Sequence, residues 1–278
     1  MAAATQPVFF IGSGRSGTRT IFKMFSGVEG VEIHHEYCCT HIQPVAALHA
    51  MGRLTRAEAA AAFRGLHGSA IHYSPARLWI DCSNKLSWII DPILDVCPSA
   101  RFVLIVRDGR KVSNSYFHKL SDEMYDDASV AILDAWLRAP AEHPQPPPEK
   151  KYWWNVPQPG QPFHAEFAGF DQYARCCYHW REANRVVLEK FAQLPAGRTA
   201  TFKLEDLAAR PDELRRLVEF TGLPYAPAYF EFMQTPQNVI VPMDFKLTPE
   251  QTATFERIAG DIQRRLGYAG TAEYEVKY

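Results

Sequence analysis

The sequence lacks any uninterrupted apolar run approaching the roughly 20 residues that cross a bilayer. The longest obvious one, Phe102 to Val106, has the length of a strand, which excludes a membrane-spanning helix. The N-terminus, Met1-Ala2-Ala3-Ala4-Thr5-Gln6-Pro7, has neither the basic head nor the longer apolar stretch of a signal peptide, so a cytoplasmic chain is expected. Neither sign of charge dominates: 30 Lys and Arg stand against 31 Asp and Glu, a net −1. That balance excludes coating of a nucleic acid by a general basic surface, so any anionic ligand must be met by local cations. Cysteine is scarce, six in 278 residues. The adjacent pairs Cys38-Cys39 and Cys176-Cys177 match no zinc spacing and no CxxC redox motif, so these thiols are read as reduced, mostly buried hydrophobes. No internal repeat and no domain linker is visible. With 47% hydrophobic residues, the chain can bury a substantial core, and a single domain over 1–278 is expected.

What is present is an alternation of strand and helix signals. Pro7 to Gly12 is a short apolar run ending in glycine, followed by a Gly/Ser turn and the helical stretch Thr20 to Phe25. A second strand is expected just before Glu36, and Arg77 to Asp81 reads as another. Ile89, Ile90, Ile93, Leu94 and Cys97 form a helical stripe, and Arg101 to Val106 is a buried strand. A later strand is expected at Arg198 to Leu204, after a long amphipathic helix bearing Tyr173, Cys177, Trp180, Val187 and Phe191. Such alternation implies a three-layer α/β fold, a central parallel sheet flanked by helices. Pro211 with Asp212 and Glu213 opens one C-terminal helix, which Gly222 and Pro224 close; Thr248-Pro249-Glu250-Gln251 opens another as a capping box. The stretch 139–163 holds eight of the 20 prolines around Tyr152-Trp153-Trp154. It can form neither a long helix nor a central strand, and is read as an extended surface loop; a flexible insertion is the plainer reading, and exposed tryptophans at its centre favour a lid or an acceptor-binding wall.

Two segments carry chemistry. Gly12-Ser13-Gly14-Arg15-Ser16-Gly17-Thr18-Arg19-Thr20 lies between a strand and a helix, where glycines let backbone N–H groups curl around an anion and the helix N-terminus adds partial positive charge. Gly12 and Gly17 keep the first half of the nucleotide-binding GxxxxGK[ST] spacing, but Thr18 stands where the lysine belongs and the cation comes earlier, at Arg15. Loss of that lysine counts against an ATPase or kinase. In the second segment, Arg107 leaves the end of the buried strand and Ser115 follows eight residues later in the next helix. A guanidinium and a hydroxyl so placed converge on a phosphate. Taken singly, each has a plainer reading: a structural Gly-rich turn, and an Arg107–Asp108 pair.

Together the segments resemble the sulfotransferases that use 3′-phosphoadenosine 5′-phosphosulfate. Arg15-Ser16-Gly17-Thr18 is similar to that family's basic-Ser-Gly-Thr loop around the 5′-phosphosulfate, and Arg107 with Ser115 to its pair on the 3′-phosphate; Arg19 departs by replacing a second hydroxyl residue. Asn84-Lys85, followed by Pro98-Ser99-Ala100-Arg101-Phe102 through Val106-Arg107-Asp108-Gly109-Arg110, resembles the branch containing tyrosylprotein, bacterial and carbohydrate sulfotransferases. Val31-Glu32-Ile33-His34-His35-Glu36 resembles that branch's segment ending in a catalytic glutamate. Trp180 with Asn184, Leu204-Glu205-Asp206-Leu207 with Pro211, and Leu247 to Tyr268 resemble further landmarks. Lys203 stands where a tyrosine is common, and a C-terminal Arg-Lys-Gly element has no counterpart.

The resemblance implies a metal-independent transfer of a sulfuryl group to a hydroxyl or amine, leaving adenosine 3′,5′-bisphosphate. It implies Glu36 as general base, with His35 as the alternative, Arg15 and Lys85 as the electrophilic pair, and Arg15, Ser16, Gly17, Thr18, Arg19, Thr20, Arg107 and Ser115 as the nucleotide contacts. Adenine is expected to stack on one of Trp180, Phe202 or Tyr178. Small-molecule, saccharide and peptide acceptors all remain open, as does the oligomeric state; a degenerate P-loop kinase and a non-catalytic nucleotide-binding relative are the competing readings. Residues 1–28 hold Arg15, Arg19 and Lys23 and no acid, and Arg101 to Lys111 sets four cations against Asp108. The near-zero total thus conceals two cationic segments.

Overall fold

The computed structural model of the chain describes residues 5–235 and 246–268. Met1 to Ala4 of the N-terminal stretch and the last ten residues, 269–278, lie outside the described residues. The strands are β1 (Gln6–Ile11), β2 (Val31–His35), β3 (Leu78–Cys82), β4 (Arg101–Val106) and β5 (Thr199–Lys203); β1, β3 and β4 are almost wholly buried, β2 and β5 of mixed polarity and mostly half-buried. All neighbours pair in parallel, in the order β2-β3-β1-β4-β5. The crossovers carry α1 (Thr18–Phe25); α2 (Cys39–Ala50), α3 (Arg56–Phe63) and α4 (Ser69–Tyr73); α5 (Ile90–Val96); and α6 (Gly109–Lys119), α7 (Asp127–Arg138), α8 (His164–Phe167) and α9 (Gln172–Phe191). After β5 come α10 (Leu204–Ala209), α11 (Pro211–Thr221), α12 (Pro227–Gln234) and α13 (Pro249–Arg265).

Alternation along the strands makes two cores. Phe9, Ile11, Trp79, Phe102 and Leu104 face α2, α3, α5, α6, α9 and α13, while Val8, Phe10, Ile80, Val103 and Ile105 face α1, α11 and α12. Both sheet faces are therefore covered, the three-layer arrangement expected of runs with no polar face. Gly222 closes α11 at φ 87, and Thr248 with Gln251 caps α13 reciprocally, as their spacing implies. Among the described residues no helix is long and apolar enough to cross a membrane.

The Pro-rich stretch 139–163 contains a 3-10 turn at Lys150–Tyr152 and otherwise irregular chain. Its tryptophans are not exposed, contrary to expectation: Trp153 and Trp154 are 2% and 5% exposed. Their indole N–H groups donate to the carbonyls of Pro147 and Glu123, each at 2.8 Å. With the polar handle satisfied by backbone, the large apolar rings gain from burial, and the stretch packs inward.

The strand ends determine where chemistry sits. Ser83 N donates to Phe10 O at 2.9 Å and Glu36 N to Cys82 O at 3.2 Å, so β1, β2 and β3 finish level. Parallel sheets bind ligands beyond these carboxyl ends, where the winding reverses; here that point flanks β1, between β3 and β4. Gly109 opens α6 there, and a Cβ at this position would lie 2.7 Å from Phe255 Cζ and from the Trp180 ring. Gly109→Ala is therefore expected to destabilise the protein by about 1–3 kcal/mol through overpacking, despite alanine's better helix propensity. Urea unfolding followed by circular dichroism measures this, and a stabilised variant would refute the close packing.

Candidate functional site

The cradle after β1 is built by close approach. Gly14 takes φ 80 and Gly17, the α1 N-cap, takes φ 97. A Cβ on Gly14 would lie 2.0 Å from Tyr116 Oη and 2.6 Å from Asn84 Nδ2; one on Gly12 would meet Ile105 O at 2.6 Å. Ser87 secures the first glycine twice, accepting from Gly12 N at 3.1 Å and donating to Gly12 O at 2.8 Å. Arg15 sits in the left-handed region at φ 54, a conformation that costs a non-glycine residue about 1–3 kcal/mol and clusters at functional sites. Ser16 is fully buried and its Oγ has no protein partner. A curled backbone, an orphaned hydroxyl and an adjoining helix N-terminus suit a bound phosphate group.

The second segment closes on this cradle. Arg15 Nε donates to Ser115 Oγ at 3.0 Å, and Arg107 Nη1 donates to the Arg15 carbonyl at 3.2 Å. The plainer Arg107–Asp108 pairing does not form. Asp108 instead caps α6 by accepting from Arg110 N and binds the Arg110 guanidinium at 2.6 Å, while Gln263 Nε2 donates to its Oδ1 at 2.9 Å. Within Arg107-Asp108-Gly109-Arg110, one arginine is thus committed to scaffold and the other meets the cradle. Trp180 Nε1 donates to Arg107 O at 3.2 Å. Thr18 is buried, Thr20 half-buried and Arg19 exposed on α1.

Beside the cradle lies a buried ion pair. Lys85, 3% exposed, donates through Nζ to Glu36 Oε1 at 2.7 Å and Asn84 Oδ1 at 2.6 Å. Burial alone would raise the Glu36 carboxyl, but the Lys85 and Lys150 charges and the Lys85 hydrogen bond outweigh it and hold Glu36 below the ordinary carboxylate value. Burial lowers the Lys85 ammonium, with Glu36 opposing. Glu36 occupies the left-handed region at φ 58. The following turn is held by Asp81, fully buried on β3, whose Oδ1 accepts from Tyr37 N at 3.2 Å. His35 stands apart from this pair, its ring 5.8 Å from that of Phe22 on α1; burial pushes its imidazole below 6.5.

A narrow pocket continues from Lys85 between α2, the Pro-rich stretch and α9, with Gln43, Trp88, Trp154, Asn155 and His179 in its wall. His179 Nε2 donates to Ser13 O at 2.9 Å, and Tyr116 Oη donates to the same carbonyl at 2.8 Å. One cradle carbonyl thereby ties α6 and α9 to the loop.

Arg15, Ser16, Arg107 and Ser115 thus come together at the cradle, and Glu36 and Lys85 meet beside it. Trp180, Phe202 and Tyr178 offer no face to adenine: they are 0%, 4% and 1% exposed. Trp180 packs on Phe255, Phe202 lies under Arg216, and Tyr178 accepts from Asn155. The later landmarks are scaffold as well. Glu205 accepts from Asp108 N and from Tyr268 Oη, and Lys203 donates to Gly267 O. Ser87, Tyr116 and His179 emerge from the geometry alone, whereas Asn84 was already marked by the Asn84-Lys85 resemblance. For two of the three the sequence signal was adjacency: Tyr116 follows Ser115 and His179 precedes Trp180.

Residues 7–143 match the sulfotransferase family profile. The fold is also that of solved sulfotransferases. Against the sulfotransferase STF9 of Mycobacterium avium the TM-score is 0.52, at 12% identity over 99% of this chain and 79% of that one. Against the sulfotransferase of Alicyclobacillus acidocaldarius it is 0.50, at 13% identity over 95% and 96%. No curated protein is a significant sequence match. Over residues 7–143 the chain belongs to the sulfotransferase family.

Burial, reinforced by the Lys85 charge, holds His179 down to about 4, against an ordinary 6.5, although its bond to Ser13 opposes the shift. Below pH 6.5 the unfolded chain takes up a proton that the folded one refuses. Stability is therefore full above 6.5, falls as the pH drops, and levels off below about 4, a loss of about 3 kcal/mol. Urea titrations at pH 7 and pH 4.5 should show most of this loss in the wild type and lack it in His179→Gln. Equal slopes would place the cavity's pH sensitivity elsewhere.

Proposed function

We propose that the chain, as one catalytic domain, transfers the sulfuryl group of 3′-phosphoadenosine 5′-phosphosulfate to an acceptor hydroxyl. The observation that carries this is the Lys85–Glu36 pair at 2.7 Å, joined through Asn84 to a cradle that already holds Arg15 against Ser115 and Arg107. The donor supplies an SO3 group on a phosphate leaving oxygen. Ser16, Gly17, Thr18 and Thr20, with the α1 N-terminus, bind the 5′-phosphosulfate, and Arg107 with Ser115 the 3′-phosphate; Arg19, exposed on α1, is kept as a peripheral cation. Glu36, ionised because Lys85 holds its carboxyl low, accepts the acceptor's proton. Lys85 and Arg15 set fixed positive charge where negative charge builds on the departing phosphate. His35 is the alternative base. All six cysteines are free thiols, in keeping with a reducing cytoplasm.

Glu36→Gln is expected to lower transfer from labelled phosphosulfate by about 10²-fold or more while leaving adenosine 3′,5′-bisphosphate affinity within about threefold, less than 1 kcal/mol. Full turnover in that variant would move the base to His35. In EDTA the bisphosphate should raise the melting temperature by several degrees and ATP should not. Magnesium-dependent stabilisation by ATP alone would support the kinase reading instead.

A further inference from the structure

The pocket beyond Lys85 has an uneven polarity. Gln43 Nε2 donates to the carbonyls of Lys150 and Trp153, at 3.1 and 2.8 Å. His179 Nε2 donates to Ser13 O, Asn155 Nδ2 to Tyr178 Oη, and the indoles of Trp153 and Trp154 to backbone carbonyls. The donors of these five residues are thus engaged. Three acceptors of the same wall are not: Gln43 Oε1, Asn155 Oδ1 and His179 Nδ1 are buried with no partner in the protein, on residues 4%, 6% and 2% exposed. Carbonyl partners fix the amide of Gln43 and the tautomer of His179, because a carbonyl can only accept. Buried polar atoms are ordinarily hydrogen-bonded. Three orphans in one pocket, all of one kind, describe the complement of a ligand.

Resting on the sulfotransferase reading, we infer that the acceptor is a neutral polyhydroxylated compound of the saccharide class, its reacting hydroxyl at Glu36 and Lys85 and its further hydroxyls donating to Gln43, Asn155 and His179. The chemistry favours this class over the others. A phenol such as a tyrosine side chain brings one hydroxyl, which reacts, and leaves the three acceptors to the amide N–H groups of its peptide. A carboxylate or phosphate sets acceptors against acceptors. An ammonium would lie beside the Lys85 charge. The apolar surface of Trp88 in the same wall suits the C–H face of a sugar ring, an apolar surface edged with donors.

The test uses the full chain with saturating adenosine 3′,5′-bisphosphate. Tryptophan fluorescence is titrated with methyl glycosides of the common hexoses and pentoses, with the monodeoxy analogues of whichever binds, and with N-acetyltyrosine amide. Labelled transfer to the same compounds is measured in parallel. A glycoside should quench at millimolar concentration, removal of one non-reacting hydroxyl should weaken it at least about tenfold, and Gln43→Met should do the same without changing bisphosphate affinity. Deoxy analogues that bind as tightly as the parent, or no glycoside binding at millimolar concentration, overturn the inference. Transfer to N-acetyltyrosine amide without glycoside binding overturns it and leaves the sulfotransferase reading standing. Glycoside binding with no transfer to any compound supports the pocket and overturns that reading.

Discussion

An ammonium cannot be buried without compensating charge and hydrogen-bond acceptors, because the desolvation cost otherwise neutralises it or expels it. Lys85 is buried at the carboxyl edge of the sheet, and much of the surrounding architecture answers that constraint. Glu36 reaches it only because the chain after β2 turns through the left-handed region at Glu36 and again at Cys38. Asp81, one strand inward, holds that turn by its bond to Tyr37 N. Asn84 presents its oxygen to the ammonium and its nitrogen to Tyr116, and so faces Gly14, where a side chain would not fit. Lys85, Glu36 and the Gly-rich cradle are one mechanical unit, in which removing either charge strands the other.

The Gly-rich cradle and the arginine beside it were legible in the sequence because a curled loop of this kind has a local grammar. Glycines that must curl, a helix that must begin there and an arginine at a strand end all fall within a few residues of one another. The strand β4 was likewise readable, since a strand covered on both faces cannot hide its apolar run; β5, an edge strand with only Phe202 buried, was legible from its place after the long amphipathic helix. What a linear reading could not assign was how like residues divide their tasks. Arg107 and Arg110 are three residues apart and chemically alike; only the cap at Asp108 and the contact with Gln263 from α13 show which one is scaffold. Trp180 similarly looked available to a base, yet its ring sits on Gly109 and its N–H on Arg107 O. Both distinctions depend on residues more than 70 positions away.

The tryptophans of the Pro-rich stretch failed as a surface prediction for a related reason. Proline correctly forbids helix and central strand, but it says nothing of whether irregular chain lies in or out. That is decided by whether the polar atoms find partners, and Pro147 O and Glu123 O supply them for Trp153 and Trp154. An irregular segment with its N–H groups satisfied by distant carbonyls behaves as core. It also becomes a wall whose outward chemistry is what the neighbours leave over.

That residue of unspent capacity separates the two halves of the site. The cradle is charged, strained and held by backbone, so changing it disrupts β1, α1 and α6 together. The acceptor side draws Gln43 from α2, Asn155 from the irregular stretch and His179 from α9, with no motif linking them. Each contributes one neutral acceptor atom and uses its other polar atom to fasten the scaffold. Under the proposed function, substitution there would alter which hydroxyls are recognised while Lys85 and Glu36 keep their geometry. A fold that keeps its cradle in contiguous sequence and its pocket wall in scattered sequence could then change acceptor without rebuilding the sheet edge.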